Sequence, residues 1–214
     1  MSGDYHGSRL TQDQRRASTW RALWRFHFRQ HIRPEHTVLD LGSGYADFIN
    51  AVSAARRIAV DIWPGLADHV APDVQAIIVP VTDLSAIADQ SVDYAFASNL
   101  FEHLTQEELV TVLAQLRRKL RPGGQLGILQ PNYRYAFREY WDDYTHRTAY
   151  SHISLPDLLR ANDWTVTAIV PRFLPLTIKS RLPTWDWLIG LYLRLPFKPM
   201  GKQMFVSASP PSCP

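Results

Sequence analysis

The amino-acid sequence predicts an α/β fold built on a doubly wound, mostly parallel sheet. Short apolar segments alternate with helical patterns between residues 37 and 170, as strands and helices do in such a sheet. A turn with two glycines, Gly42-Ser43-Gly44, follows the first apolar segment. Polar side chains also follow the later segments, which predicts a ligand site at one edge of the sheet.

Length and composition indicate an ordinary globular chain. It has 214 residues, of which 46% are hydrophobic, and this is enough for one domain with appendages. The single cysteine, Cys213, excludes a disulfide framework and a cysteine metal cluster, so we expect a cytoplasmic protein. No window has the length and apolarity of a membrane span.

Charge is unevenly distributed along the chain, which has a net charge of +3. Residues 1–33 contain seven Arg and two Asp, and residues 171–214 contain three Arg, three Lys and one Asp. The segment between these ends is acidic on balance. The basic ends are consistent with a solvated basic surface or with contact to anionic lipid.

Residues 11–33 have a helical pattern, and we assign them to an N-terminal segment, 1–35, that precedes the main domain, 36–214. Trp20, Trp24 and Phe28 repeat every four residues. An adjacent stripe contains Arg21, Arg25, Arg29 and Arg33. Either the aromatic stripe packs on the domain, or the helix lies on a membrane surface.

The other predicted elements alternate regularly. We predict strands at 37–41, 57–61, 75–80, 91–98, 125–130, 164–170 and 203–208. We predict helices at 45–55, from an N-cap at Thr105 to 120, and at 154–162. Two irregular segments interrupt this pattern: a lid-like loop at 132–152 and a C-terminal insertion at 171–201.

The position of Asp61 indicates which ligand the glycine turn would bind. Glycines let a ligand approach the backbone, and the following helix would offer unpaired N–H groups. Asp61 lies nineteen residues after Gly42, close to the spacing at which an acid accepts hydrogen bonds from a ribose. Asp47 would place negative charge near any pyrophosphate, so a nucleoside without phosphate fits better than a dinucleotide.

Several motifs together resemble class I S-adenosylmethionine (SAM)-dependent methyltransferases of the type 11/23-like group. The resemblance covers most of residues 36–170 and includes LDLGSGYADF, AVDIWP, VTDL, SVDYAFASNLFEHL and LRRKLRPGGQLGILQPN. Ala46 departs from the pattern, because it replaces the commonest third glycine. NLFEHL, QPN, the YWDDYTH loop and RFLPLTIKSRLP also resemble a bacterial subgroup from surface-polysaccharide clusters.

The resemblance implies the cofactor, the strand order and the cofactor-binding residues. The cofactor is SAM, and the seven strands take the order 3-2-1-4-5-7-6 with the last strand antiparallel. The implied cofactor-binding residues are Asp40, Gly42, Ser43, Gly44, Asp61, Ile62, Thr82, Asp83, Leu84 and Asn99. Asp61 would bind the ribose, and Asp83 would accept from the adenine amine.

An oxygen acceptor would need a general base, and two histidines are candidates. His146 lies in the 132–152 loop, with Asp142 or Asp143 able to orient it, or it only forms a hydrogen bond that caps the loop. His103 follows the fourth strand and either assists catalysis or orients the loop under the cofactor. Candidate substrate-binding residues are Tyr133, Trp141, Asp143 and Tyr144, or the aromatic ones serve only in packing. We expect no metal site, because Asp142, Asp143 and His146 have no standard ligand spacing.

The favoured function is methyl transfer from SAM to a small-molecule or saccharide acceptor, at oxygen. The alternative is a methyltransferase-fold partner subunit of a glycan-assembly system without turnover of its own. A nucleotide-dependent oxidoreductase is disfavoured by Asp47, and nucleic-acid methylation by the strand-four motif. The apolar segment 182–197 is a cover for the sheet edge, a homodimer face or, with residues 11–33, a peripheral membrane contact.

Overall fold

A seven-stranded sheet forms the centre of the fold in the computed structural model, which describes residues 14–175 and 185–211. The strands are β1 (Thr37–Leu41), β2 (Arg56–Asp61), β3 (Val74–Ile78), β4 (Val92–Ser98), β5 (Leu120–Pro131), β6 (Thr165–Pro175) and β7 (Gly201–Ser209). Their order, β3-β2-β1-β4-β5-β7-β6, confirms the predicted topology. β7 is antiparallel to both β5 and β6, whereas β2 is parallel to β1 and β3, and β4 is parallel to β5.

Helices connect these strands. The α-helices are α1 (Gln14–Phe26), α2 (Asp47–Ala51), α3 (Gln106–Lys119), α4 (Tyr133–Ala136), α5 (Ser154–Ala161) and α6 (Asp186–Arg194). Short 3-10 helices occupy Phe28–Gln30, Pro64–Asp68, Phe101–His103 and Tyr140–Asp142. No helix within 14–175 and 185–211 is both long and apolar enough to cross a bilayer.

The chain divides into two compact units. The first unit comprises Met1–Val81 and Thr177–Phe197, and therefore contains β1 to β3. The second unit comprises Thr82–Leu176 and Lys198–Pro214, and contains β4 to β7. Since the strand interiors of β1, β2 and β4 are almost wholly buried, the sheet supplies the core of each unit.

The aromatic stripe of α1 packs inside the first unit. Trp20 and Phe28 are buried, and both rings contact Phe48, with centroid distances of 5.6 and 5.0 Å. The arginines of the adjacent stripe are exposed. The structure therefore favours the packing interpretation of this stripe over the membrane interpretation. The predicted helix 11–33 is too long, because His27 leaves the helical conformation (φ −131°, ψ −61°) and a 3-10 turn follows; residues 11–13 lie outside the described residues.

The helix after the glycine turn is shorter than the prediction of 45–55. It covers only Asp47–Ala51, since Val52 is extended (φ −76°, ψ 138°) and β2 begins at Arg56. Residues 52–55 are needed to connect the helix to the start of β2, so only one helical turn can form. An argument from the dipole of a long helix therefore does not apply to this turn.

Two features of the second unit refine the predicted boundaries. Thr105 is the N-cap of α3, as predicted, and it forms a reciprocal capping box with Glu108. β5 begins at Leu120 and not at Gln125, because Leu120 pairs with Val92 and Gln125 pairs with Tyr94. The intervening Arg-Pro-Gly-Gly residues therefore form a bulge within the strand, with Gly123 at φ +80°.

The segment 171–201 was predicted to be irregular and is largely regular where the structure describes it. β6 continues to Pro175, and α6 occupies Asp186–Arg194, whereas residues 176–184 lie outside the described residues. Trp185, Trp187 and Phe197 are more than half exposed. The predicted membrane contact or homodimer face at 182–197 stays a prediction, and its first three residues are among those not described.

Gly127 and Tyr94 offer a test of the core. A Cβ at Gly127 would overlap with the hydroxyl of Tyr94 and lie 3.0 Å from its Cζ. That hydroxyl is buried without a hydrogen-bond partner among the described residues. We expect Gly127→Ala to lower the free energy of unfolding by about 1–3 kcal/mol, and Tyr94→Phe to raise it by about 1 kcal/mol.

Denaturant unfolding of the two single variants and the double variant checks this expectation. Gly127→Ala should cost less in the Tyr94→Phe background, because the overlapping oxygen is gone. An equal cost in both backgrounds would contradict the assigned contact.

Candidate functional site

The glycine turn after β1 has a left-handed backbone conformation that brings successive N–H groups toward β2. Gly42, Gly44 and Ala46 have positive φ angles of 66°, 53° and 58°. The N–H groups of Gly42 and Ser43 donate to the carbonyl of Val60, at 2.8 and 3.1 Å. Glycine adopts this conformation without cost, whereas Ala46 adopts it at a cost of roughly 1 kcal/mol.

Asp61 fastens the turn to the end of β2. Its Oδ2 accepts from the N–H of Gly44 at 2.8 Å, and its Oδ1 accepts from the N–H of Trp63 at 2.9 Å. The residue is 7% exposed. Each carboxylate oxygen has a second lone pair, so Asp61 can hold the backbone and still accept a hydrogen bond from a ligand hydroxyl.

The buried Asp40 lies below the turn. Burial raises the pKa of its carboxyl well above the usual value, and the negative charges of Asp61 and Asp47 raise it further. The hydroxyl of Ser43 donates to the carbonyl of Asp40 at 2.9 Å, which connects the turn to the strand. A neutral Asp40 could donate as well as accept a hydrogen bond.

Asp47 is paired with a basic residue. Arg16 Nε donates to Asp47 Oδ2 at 2.9 Å, and both side chains are largely buried. The argument against a pyrophosphate ligand treated Asp47 as an uncompensated charge, and the ion pair with Arg16 weakens that argument. The sequence did not indicate this pair, because 31 residues separate its partners.

Ile62 and a group of aromatic rings flank Asp61. Ile62 is 46% exposed, which is high for an isoleucine directly after a buried strand. Trp63 contacts the rings of Tyr45 and His69, with centroid distances of 5.2 and 5.4 Å. A Cβ at Gly65 would overlap with the ring of Trp63, so this glycine is needed for the ring position. Sequence reasoning did not identify these aromatic contacts.

In the second unit, Gln115 holds the predicted adenine loop at Thr82-Asp83-Leu84. Its Nε2 donates to the carbonyl of Thr82, and its Oε1 accepts from the N–H of Leu84 at 2.7 Å. Hydrogen bonds from Ser85 lower the pKa of the exposed Asp83, whose Oδ1 accepts from the Ser85 N–H at 3.0 Å. Sequence reasoning missed Gln115, which belongs to α3 and carries no motif of its own.

Asn99 follows β4 in a left-handed conformation (φ 49°), which asparagine tolerates better than most residues. Its N–H donates to the carbonyl of Leu129, and its Oδ1 accepts from Gln203 Nε2 at 2.9 Å. Its side-chain oxygen is therefore oriented by β7. The structure does not test its predicted role in cofactor binding.

Glu102, His103 and His146 meet in the second unit, on the 3-10 helix after β4 and in the 132–152 loop. One ligand atom from each lies within 4.8 Å of the other two. Glu102 is fully buried, and burial together with the charge of Asp143 raises the pKa of its carboxyl to about 8. Burial and the neighbouring His146 lower the pKa of His103 to about 4. Sequence reasoning proposed the two histidines as bases but assigned no role to Glu102.

Hydrogen bonds at Nδ1 orient both imidazoles. His146 Nδ1 lies 2.6 Å from the carbonyl oxygen of Tyr140, which can only accept. His103 Nδ1 lies 3.0 Å from Thr145 Oγ1, whose own proton is donated to Asp143 Oδ1 at 2.6 Å. Both histidines therefore carry the proton on Nδ1 when neutral, and Nε2 has the lone pair. Either Asp142 or Asp143 was predicted to orient His146. The carbonyl of Tyr140 holds His146 Nδ1, and Asp143 acts on His103 through Thr145.

The 132–152 loop is anchored at its centre and exposes aromatic rings. The N–H groups of Arg147 and Thr148 donate to the carbonyl of Glu102, at 2.8 and 3.1 Å. Tyr140 is buried and donates to the carbonyl of Thr148 at 2.6 Å. Among the predicted substrate residues, Tyr133, Trp141 and Tyr144 are 36%, 53% and 71% exposed. These three rings are therefore accessible at the surface of the loop.

Comparison with known proteins agrees with this architecture. Residues 39–128 match the family model described as a methyltransferase domain. No curated protein matches the sequence significantly.

Solved structures with sequence identities below 25% share the fold. A SAM-dependent methyltransferase from Archaeoglobus fulgidus has 20% identity and a TM-score of 0.68, covering 90% of this chain and 93% of that chain. A protein from Pyrococcus horikoshii has 16% identity and a TM-score of 0.70, with coverages of 97% and 99%. The 1,6-didemethyltoxoflavin-N1-methyltransferase of Burkholderia thailandensis, with 1,6-didemethyltoxoflavin and S-adenosylhomocysteine bound, has 21% identity and a TM-score of 0.59, with coverages of 96% and 83%.

These findings confirm the class I methyltransferase fold and support SAM as the cofactor. The matched domain begins within β1 and ends within β5, so it includes Asp40, Asp61, Asp83 and the Glu102-His103 pair. It does not include the 132–152 loop. The resemblance to a polysaccharide-cluster subgroup and the identity of the acceptor stay predictions.

Gln115 gives a test of the adenine loop that needs no ligand. We expect Gln115→Ala to speed hydrogen exchange at the Leu84 amide by about five- to tenfold, because one hydrogen bond worth about 1 kcal/mol is lost. Gln106→Ala, at an exposed position on the same helix, is the matched control and should leave this amide unchanged. Equal exchange rates in the two variants would contradict the role of Gln115.

Proposed function

We propose that this protein transfers a methyl group from SAM to a hydroxyl oxygen of a small molecule, with a saccharide as the favoured acceptor class. The observation that carries this proposal is the glycine turn held by the buried Asp61 carboxylate inside a methyltransferase domain. A ribose diol needs an acceptor at such a turn, and Asp61 offers lone pairs there.

The proposed cofactor contacts follow from the chemistry of each residue. Asp61 accepts from the ribose hydroxyls, and the exposed side chain of Ile62 covers one face of the adenine. Asp83 accepts from the adenine amine, next to the backbone of Thr82 and Leu84. Asp40 and the turn residues Gly42, Ser43 and Gly44 hold the amino-acid end, with Asn99 as a further cofactor contact.

The reaction needs alignment and removal of one proton. When SAM is bound, its sulfonium supplies an already activated methyl group. The protein then has to place the acceptor oxygen in line with the methyl carbon and accept the hydroxyl proton. We assign that proton to His146 Nε2, because its Nδ1 proton is fixed by the Tyr140 carbonyl. Asp143 supports the neighbouring His103 through Thr145.

The favoured acceptor class rests on the exposed rings of the 132–152 loop. Tyr133, Trp141 and Tyr144 present flat apolar surfaces close in sequence to His146. Such rings can stack on the apolar faces of a sugar while its hydroxyls remain available for hydrogen bonds. These residues are also compatible with other flat small molecules that carry a hydroxyl.

Cofactor binding and proton removal should be separable by mutation. Ile62→Ala should weaken the affinity for S-adenosylhomocysteine by about 5- to 30-fold, since about 1–2 kcal/mol of apolar burial is lost. His146→Ala should lower the rate of methyl transfer and leave that affinity unchanged. Calorimetry measures the affinity, and a screen of saccharide and small-molecule acceptors with methyl-labelled SAM measures the rate.

The matched control is Ile78→Ala, because Ile78 is also an exposed isoleucine, at 40%, and ends the neighbouring strand β3. It should bind S-adenosylhomocysteine like the wild type. A wild-type protein that binds no S-adenosylhomocysteine would contradict the proposed function, and equal affinities of the two isoleucine variants would contradict the role of Ile62.

A further inference from the structure

Glu102 is a buried acid whose oxygens are both unsatisfied. The residue is 0% exposed, and neither Oε1 nor Oε2 has a hydrogen-bond partner among the described residues. An unpaired carboxylate in such a place is costly, so either a proton or a cation must neutralise it. Buried polar groups without partners are uncommon in native proteins, and a bound ion is one explanation for such a group.

Two imidazoles face the same point as Glu102. The ligand atoms of Glu102, His103 and His146 all lie within 4.8 Å of one another, so a point among them is within about 2.8 Å of each. Bonds from Zn²⁺ to nitrogen or oxygen are about 2.0–2.2 Å long, and small side-chain rotations would reach this length.

The hydrogen bonds around the cluster prepare both histidines as ligands. Metal-binding imidazoles typically donate the other ring N–H to a carbonyl or to a group held by a carboxylate. His146 Nδ1 donates to the carbonyl of Tyr140, and His103 Nδ1 donates to Thr145, which Asp143 holds in turn. The lone pair of each ring is therefore at Nε2.

We propose that Glu102, His103 and His146 form a binding site for a divalent transition-metal cation. Two imidazole nitrogens and one carboxylate oxygen suit Zn²⁺, Fe²⁺, Co²⁺ or Mn²⁺ better than Ca²⁺ or Mg²⁺, which prefer oxygen ligands throughout. Three protein ligands leave coordination positions for other oxygens. The sequence did not predict this site, because Glu102 and His103 are adjacent whereas His146 lies 43 residues further on.

The site would define the acceptor more narrowly, and this part rests on the proposed methyl transfer. A hydroxyl bound to the cation loses its proton to water more readily than a free hydroxyl does. The acceptor oxygen then forms a bond to the methyl carbon as the carbon–sulfur bond breaks, which yields a methyl ether and S-adenosylhomocysteine. Acceptors with two neighbouring hydroxyls would be favoured, since both oxygens can occupy open positions on the cation. In this state His146 supplies its lone pair to the cation, and not to the acceptor proton.

Metal binding can be tested on the full-length protein without SAM. Protein treated with a chelator is titrated with Co²⁺, followed by its visible absorption, and with Zn²⁺, followed by calorimetry. We expect one equivalent to bind. Glu102→Gln and His146→Gln should each weaken Zn²⁺ binding by at least about 10- to 100-fold.

Glu107→Gln is the matched control, because Glu107 is exposed and lies five residues from Glu102. It should bind both cations like the wild type. Circular dichroism and thermal unfolding establish whether each variant is folded. If Glu102→Gln does not fold, the Zn²⁺ affinity of His146→Gln tests the site, because His146 is only half-buried and its substitution disturbs the core less.

Failure to bind either cation, or binding that both substitutions leave unchanged, would overturn the proposed metal site. S-adenosylhomocysteine affinity is measured on the same preparations. A wild-type protein that binds S-adenosylhomocysteine but neither cation would overturn this inference alone. A wild-type protein that binds a cation but not S-adenosylhomocysteine would overturn the methyltransferase proposal and leave the metal site standing.

Discussion

The hydrogen bonds accepted by the Asp61 carboxylate are the interaction on which the glycine turn after β1 depends. It accepts from the backbone N–H groups of Gly44 and Trp63, and so connects the turn after β1 to the turn after β2. Three residues of the first turn have positive φ angles. The hydrogen bond to Asp61 stabilises this uncommon backbone conformation. In the proposed function, the same carboxylate also accepts from the ribose of SAM.

The cluster of Glu102, His103 and His146 has a different physical basis. It depends on the burial of its side chains and not on hydrogen bonds from backbone N–H groups. Glu102 and His103 are both buried, and burial shifts their pKa values in opposite directions, to about 8 and about 4. Both side chains are therefore held in their neutral forms near neutral pH. A cation or a proton taken up at this cluster would restore the charge that burial removes. Titratable groups with such perturbed pKa values are often functional.

Much of the fold could be predicted from the sequence because its local signals agree with each other. Apolar strands, a glycine turn and the capping box at Thr105 are all encoded within a few residues. The end of α1 could not be predicted, because the helical pattern of the sequence continues past Phe26. The length of α2 is limited by the start of β2 at Arg56, and the bulge in β5 depends on its pairing with β4. Sequence reasoning also placed residues 171–175 and 186–194 in an irregular insertion, although they extend β6 and form α6.

Site residues that belong to a sequence motif could be predicted. Site residues that act through tertiary contacts could not. Asp61 and the glycine turn have recognisable spacing. Gln115 and the carbonyl of Tyr140 do not, because each acts through hydrogen bonds that no local sequence pattern indicates. Glu102 was visible in the sequence, but only its burial without a partner distinguishes it from an ordinary surface acid.

The most direct test of the account is the affinity of Asp61→Asn for S-adenosylhomocysteine, measured by calorimetry beside Asp68→Asn, an exposed aspartate in the same unit. The account predicts that Asp61→Asn loses at least about tenfold in affinity, because an amide nitrogen cannot accept from the backbone or from a ribose hydroxyl. Asp68→Asn should bind like the wild type. Unchanged affinity in Asp61→Asn would contradict the central claim that this carboxylate organises the cofactor site.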